Sequence, residues 1–300
     1  MNFGQVLTAM VTPFTPQGEI DFEATRKLVN HLIANGSDGL VVAGTTGESP
    51  TLTNEEKIRL FSFVSEVVDG RVSVIAGTGS NNTYGSIELT KQAEATGVDA
   101  IMLVSPYYNK PSQEGLYQHF KAIAENTSLP VMLYNIPGRS VVSMSVETIV
   151  RLSDIDNIVS VKEASGDLDA VSEIIKRTAD SFTVYSGDDG MTLPVMSVGG
   201  NGVVSVASHI LGNEMQDMVQ AFTQGNVKGA AEMHRELLPM MKALFAAPSP
   251  SPVKEALSML GILQEKHVRL PMIPLNQEER VALHHVLQPL LVKNNDVIGY

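Results

Sequence analysis

The chain has 300 residues, 43% of them hydrophobic, with 33 acidic against 21 basic side chains and a formal charge of -12. This apolar content suffices for one large core. The lack of cysteine excludes disulfides, thiolate catalysis and cysteine-ligated zinc, and no Lys/Arg run could track a phosphate backbone. Met1-Asn2-Phe3-Gly4 has neither a basic nor an apolar leader character, and no apolar run approaches the ~18 residues of a membrane span. A soluble, cytoplasmic protein is expected, with neither nucleic acid nor membrane as partner.

The first predicted strand covers 6–14, and Asp21 then N-caps a helix that turns Phe22, Leu28, Val29, Leu32 and Ile33 inward and stops at Gly36. A strand at 39–44 runs into Gly44-Thr45-Thr46-Gly47-Glu48-Ser49, and Thr53-Asn54-Glu55-Glu56 opens the next helix as a capping box. Further strands are predicted at 73–77, 100–105, 131–135, 158–162, 182–186 and 202–207, with helices at 83–97 and 112–126 between them. The strand runs recur at roughly 25 to 35 residues, the length of a strand plus a helix. Most are continuous hydrophobics, as parallel strands covered by helices should be.

Eight such units predict an α/β fold, a closed (β/α)8 TIM barrel with a C-terminal helical appendage. An open doubly wound sheet is the alternative, but Gly77-Thr78-Gly79-Ser80-Asn81-Asn82 lacks the third glycine of a dinucleotide-binding turn. Beyond Gly212 the strand signal stops. Helices are predicted at 214–223, 227–245, 252–260 and 277–291, the run Pro248-Ser249-Pro250-Ser251-Pro252 is a stiff turn between two of them, and residues 294–300 read as a frayed tail. The expected division is a barrel over 1–224 that carries the active site and a helical domain over 225–300.

Active sites of such barrels form at the C-terminal ends of the strands. The sixth strand ends Ile158-Val159-Ser160-Val161-Lys162, followed by Glu163-Ala164-Ser165-Gly166. A lysine desolvated there loses preference for its cationic form, which suits Schiff-base chemistry with a carbonyl compound, whereas a surface Lys-Glu pair would carry no chemistry. Lys110 and Lys254 are the rival amines, set aside because Pro-flanked loop and helix-start contexts suggest exposure. Thr45 and Thr46 offer hydroxyls and backbone N–H groups for a carboxylate. Tyr107 and Tyr108, Tyr134, and Tyr185 close the fourth, fifth and seventh strands as candidate phenols of a proton relay, and Arg139 follows Ile136-Pro137-Gly138. The histidines show no metal-ligand spacing, and neither a metal nor an organic cofactor is expected.

The motifs GTTGES at 44–49, VIAGTGSN at 74–81, PYYNKPSQEG at 106–115, LYNIPGRS at 133–140, KEASGD at 162–167 and SGDD at 186–189 together resemble the dihydrodipicolinate synthase family of pyruvate-dependent Schiff-base enzymes. The resemblance spans essentially the whole chain. It implies that Lys162 forms an imine with pyruvate, that Tyr134 moves protons at that centre, and that Thr45 and Tyr108 complete its relay. It further implies that Thr46 and the backbone near Thr45 hold the pyruvate carboxylate. Arg139 would meet the carboxylate of L-aspartate 4-semialdehyde, and Gly187 and Val204 would line the site with backbone.

The same resemblance implies a homotetramer built as a dimer of dimers, with a tyrosine matching Tyr107 or Tyr108 inserted from a neighbouring subunit. The motif position assigns Tyr108. In lysine-sensitive members an effector pocket sits at positions that here include Asn81, Tyr107, Gly85 and Lys57; Gly85 supplies no carboxylate and Lys57 adds a cation, so weak or absent feedback by lysine is expected. Another pyruvate lyase, acting on N-acetylneuraminate or keto-sugar acids, is the nearest alternative, and a non-catalytic keto-acid-binding barrel the more distant one.

Overall fold

The computed structural model describes the backbone of residues 3–298 and the side chains of residues 3–292. Eight parallel strands, β1 (Val6–Ala9), β2 (Gly39–Val42), β3 (Ser73–Gly77), β4 (Ala100–Val104), β5 (Val131–Asn135), β6 (Ile158–Glu163), β7 (Thr183–Ser186) and β8 (Gly202–Ser205), close in sequential order with β8 pairing β1. The helices between them are α1 (Phe22–Ala34), α2 (Asn54–Val68), α3 (Thr83–Glu94), α4 (Gln113–Ala124), α5 (Pro137–Ser140), α6 (Val146–Ser153), α7 (Leu168–Arg177) and α8 (Thr192–Ser197). After β8 follow α9 (Ser208–Thr223), α10 (Val227–Ala243), α11 (Ser251–Met259) and α12 (Gln277–Ile298). No described helix is long and apolar enough to cross a membrane.

The strands are buried on both faces, and successive side chains divide between two cores. Val6, Val131, Leu133, Val161, Val184 and Val203 point outward against the helices. Leu7, Met102, Met132, Tyr134, Tyr185 and Val204 fill the barrel interior. Helix starts are set by side-chain caps: Asp21, Asn82, Ser112, Ser145 and Asp167 each accept the backbone N–H three residues on, and Thr53 and Glu56 form the reciprocal capping box.

Several boundaries differ from those predicted. The first strand stops at Ala9: Met10 still donates its N–H to the Val41 carbonyl at 3.0 Å, but Val11 turns its N–H to His209 Nε2 at 3.1 Å, and Met10, Val11 and Phe14 are apolar because they pack in the outer core. Phe22 and Ile33 of α1 are only half-buried. Helix α9 begins at Ser208, well before the predicted 214, and bends at Leu211. It lies so close to the end of α1 that a Cβ on Gly212 would fall 1.8 Å from the Asn35 carbonyl oxygen. Helix α12 continues through Ile298, so the tail expected to fray from residue 294 is helical over 294–298, while Gly299 and Tyr300 lie outside the described residues. Helix α10 packs on α9, on α12 and on the short turn after β7, which brings one C-terminal helix over the strand ends.

Candidate active site

At the strand C-terminal ends a cavity of about 220 Å³ is lined by Gly44, Thr45, Tyr107, Tyr134 and Arg139, among others. A second cavity of about 550 Å³ shares Ile136 and Arg139 with it and reaches past Gly187 and Asp188 to His234 and Lys242 of α10. Arg139, exposed on the single turn of α5, therefore stands on the rim common to both.

Lys162 lines neither cavity but adjoins a wall residue of each, Tyr134 of the first and Gly187 of the second. Register pairing sets Tyr134, Lys162 and Tyr185 side by side on β5, β6 and β7. Lys162 is 5% exposed, and its Nζ sits 4.1 Å from the centroid of the Tyr134 ring. Burial lowers its pKa to about 7, against the opposing pull of the buried Asp189 carboxylate and with the Arg139 charge adding to the depression. Glu163 faces the other way: it accepts from Asn135 Nδ2 at 2.9 Å and from the Ser165 N–H at 2.6 Å. Lys162 and Glu163 are thus not a surface ion pair.

Burial pushes the Tyr134 phenol up to about 12, while Arg139 and a hydrogen bond with the Thr45 side chain pull it down, so the phenol is a proton donor at neutral pH. The turn carrying Thr45 begins and ends on left-handed residues, Ala43 at φ 51° and Glu48 at φ 58°. Glu48 N–H donates to the Thr45 carbonyl at 3.1 Å and Thr12 Oγ1 to the Gly47 carbonyl at 2.7 Å. Among the described residues the backbone N–H groups of Thr45 and Thr46 have no partner, which leaves two donors for an anion. Thr46 is buried and is not among the residues that line the cavity.

Gly187 makes room for Lys162. A Cβ there would lie 2.7 Å from Ala164 Cβ and 3.1 Å from Lys162 Cε, and the Gly187 N–H is already spent on the Glu163 carbonyl at 2.7 Å. Its place is the wall of the second cavity. Val204 lines neither cavity; it is a filled position of the barrel interior, where β8 must close the core. Tyr185 is likewise not at the mouth, because its hydroxyl donates to the Gly4 carbonyl at 2.9 Å at the opposite end of the barrel.

Tyr107 lines the first cavity, whereas Tyr108, at φ 72°, is 89% exposed and lines neither cavity. The loops after β3 and β4 are cross-linked: Asn81 Nδ2 donates to the Tyr107 carbonyl at 3.1 Å and Asn109 Nδ2 to the Asn81 carbonyl at 2.9 Å. Gly85 lies in the first turn of α3, and Lys57 of α2 is half-buried, with its pKa lowered by desolvation.

Of the rival amines, Lys110 is exposed as expected. Lys254 is not; it is 1% exposed, because the first turn of α11 is buried and sets its amine against Glu48 and the Phe14 ring. Its Nζ donates to Glu48 Oε1 at 2.6 Å and to the His267 carbonyl at 2.8 Å, and desolvation lowers its pKa to about 8 although Glu48 pulls upward. These bonds, and not exposure, set it apart from Lys162. Asp189 was readable only as the end of a strand-seven motif. It is a buried carboxylate that accepts from Ser205 Oγ at 2.5 Å and from the Val206 and Ala207 N–H groups at 3.1 and 2.9 Å.

A parallel barrel with a desolvated strand-end lysine beside a protonated phenol has the parts of a class I, Schiff-base aldolase or lyase. Residues 2–290 match the Dihydrodipicolinate synthetase family. The chain is 63% identical over 289 residues to 4-hydroxy-tetrahydrodipicolinate synthase 1 of Halalkalibacterium halodurans, covering 96% of this chain and 98% of that one. It is 60% identical to the Bacillus subtilis 4-hydroxy-tetrahydrodipicolinate synthase, covering 97% of this chain and all of the other. The crystal structure of a Bacillus anthracis dihydrodipicolinate synthase superposes with a TM-score of 0.94 at 62% identity, over 96% of this chain and 98% of that one. The chain belongs to the dihydrodipicolinate synthetase family.

Proposed function

We infer that the protein condenses pyruvate with L-aspartate 4-semialdehyde to give 4-hydroxy-tetrahydrodipicolinate, in lysine and diaminopimelate biosynthesis. The observation that carries this reading is the placement of the Lys162 amine, with its pKa near 7, beside a cavity edged by Thr45, Tyr134 and Arg139. On this reading the neutral Lys162 amine attacks the pyruvate ketone, and Tyr134 supplies the proton with which water leaves the carbinolamine. The protonated imine then draws electrons from the adjacent methyl, whose proton is lost to give an enamine. Its carbon attacks the semialdehyde carbonyl, and the amine of that substrate displaces Lys162 and closes the ring. The imine is itself the electron sink, so the chemistry asks for no cofactor.

The Thr45 and Thr46 N–H groups suit the pyruvate carboxylate, and Arg139 suits the carboxylate of the acceptor. Gly187 contributes space rather than a contact. Tyr108 completes the proton relay from a neighbouring subunit of a homotetramer, a dimer of dimers; its exposure in the single chain supports this. Residues 1–224 carry the chemistry and residues 225–300 brace it. With Gly85 and Lys57 where a lysine-binding pocket would want negative charge, feedback by lysine is weak or absent, with no half-maximal inhibition below the millimolar range.

Assay of the purified protein with pyruvate and each acceptor class tests the reading. Turnover with aspartate 4-semialdehyde is expected, with no cleavage of N-acetylneuraminate, because a guanidinium fork favours a small carboxylate over a polyhydroxylated chain. The reverse preference overturns it.

A further inference from the structure

The turn that carries Thr45 and Thr46 is gripped by the C-terminal segment. Glu48, three positions after Thr45, receives Lys254 Nζ on Oε1 at 2.6 Å and the Arg269 N–H on Oε2 at 2.9 Å. Lys254 Nζ and the Arg269 guanidinium both lie over the ring of Phe14, at 4.2 and 4.5 Å from its centroid. Arg269 also donates to the Thr51 carbonyl at 2.7 Å and to both carboxylate oxygens of Glu56, at 2.8 and 2.5 Å. Both ends of the stretch from Glu48 to Glu56 are therefore anchored by residues more than two hundred positions away.

The Glu48–Lys254 side chains are 2% and 1% exposed. A pair so deeply buried contributes little net stability, since the desolvation of two charges offsets their attraction. What it does supply is direction. It fixes a residue held in the left-handed region, and that residue's N–H is bonded to the Thr45 carbonyl. The chemistry of the reaction employs neither side chain.

We propose that the Glu48–Lys254 pair is a positioning device for the keto-acid end of the site, through which α11 and the segment up to Arg269 hold the Thr45 and Thr46 N–H groups on the pyruvate carboxylate. The proposal rests on the reading of the site given above. Lys254 and Glu48 are positioning residues, acting through the turn and touching no substrate.

Steady-state kinetics of Lys254→Met and of the uncharged double variant Glu48→Gln/Lys254→Met separate this role from a merely structural one. In protein shown by circular dichroism to be folded, the pyruvate KM should rise about tenfold or more, as small misplacements of binding groups do. The semialdehyde KM should stay within about twofold, because Arg139 is untouched. Borohydride trapping at saturating pyruvate should still label Lys162. The double variant, free of an unpaired buried charge, keeps the test intact should Lys254→Met fail to fold, and its pyruvate KM should remain raised. A fall in thermal midpoint with both KM values unchanged overturns the proposal, as does an equal rise in both or a wild-type pyruvate KM in the double variant. Wild-type protein that neither traps pyruvate nor turns over overturns the reading of the site, and this proposal with it, before any variant is compared.

Discussion

Tyr134 and Lys162 are direct register partners on β5 and β6, and the lysine Nζ lies 4.1 Å from the centre of the phenol ring. A ring face favours the ammonium by about 0.5–2 kcal/mol. Burial favours the neutral amine, and a pKa lowered from 10.5 to about 7 corresponds to about 5 kcal/mol against the charge. Burial wins, and the pair presents a nucleophilic amine beside a protonated phenol.

The rate of imine formation should therefore follow the neutral amine. With a folded pKa of about 7, the trapping rate at fixed pyruvate is expected to rise with pH through 7 and to flatten above it. The linkage to stability has the same direction. Below 7 both folded and unfolded chains carry the proton and the folded chain bears the full cost of burying it; that cost is relieved as pH rises from about 7 toward 10.5. Lys162→Met should stabilise the protein at pH 6 and lose that advantage by pH 10. A trapping rate that climbs without a break to pH 10 would show an ordinary, solvated lysine.

Gly187→Ala should act on Lys162 without touching substrate. Its Cβ would meet Ala164 Cβ at 2.7 Å and Lys162 Cε at 3.1 Å, so one of them must move. Overpacking of this kind costs about 1–3 kcal/mol, and because the lysine is the more mobile neighbour, kcat should fall at least tenfold. Urea unfolding and steady-state rates measure both effects; unchanged kcat would mean that the lysine is not held by this wall.

Arg139→Ala removes a charge-assisted pairing worth about 1.5–3 kcal/mol. The semialdehyde KM should rise roughly tenfold to a hundredfold, while pyruvate still traps on Lys162. Because Arg139 also depresses the Lys162 pKa, the pH at which trapping flattens should move upward. Loss of trapping together with acceptor binding would place the arginine at the pyruvate end instead.

Tyr108 is 89% exposed in the single chain and at positive φ, and on the function proposed above it serves the site of a neighbouring subunit. Hybrid oligomers of Tyr108→Phe with Lys162→Ala subunits should regain part of the activity that each homogeneous variant lacks. Verified hybrids with no recovery would confine Tyr108 to its own subunit or to no catalytic part.

The barrel was legible because its strands are buried on both faces and read as unbroken apolar runs; β3 and β5 fall where predicted, residue for residue. Apolar runs report burial, however, not pairing, which is why the first strand was drawn too long across Met10 and Phe14. Lys162 was legible from its place at a strand end. The burial of Lys254 was not, because the partner that satisfies it lies 206 positions away. Strand-end position also leaves inward side chains ambiguous between mouth and interior: Tyr134 serves the cavity, while Tyr185 and Val204 fill the barrel.

Borohydride reduction in the presence of pyruvate, followed by peptide mass spectrometry, bears most directly on the assignment of Lys162. Reduction should inactivate the protein and leave one pyruvate-derived adduct per chain, on the peptide containing Lys162, and Lys162→Arg should carry no adduct. Labelling of Lys110 or Lys254, or inactivation with Lys162 unmodified, would contradict the account.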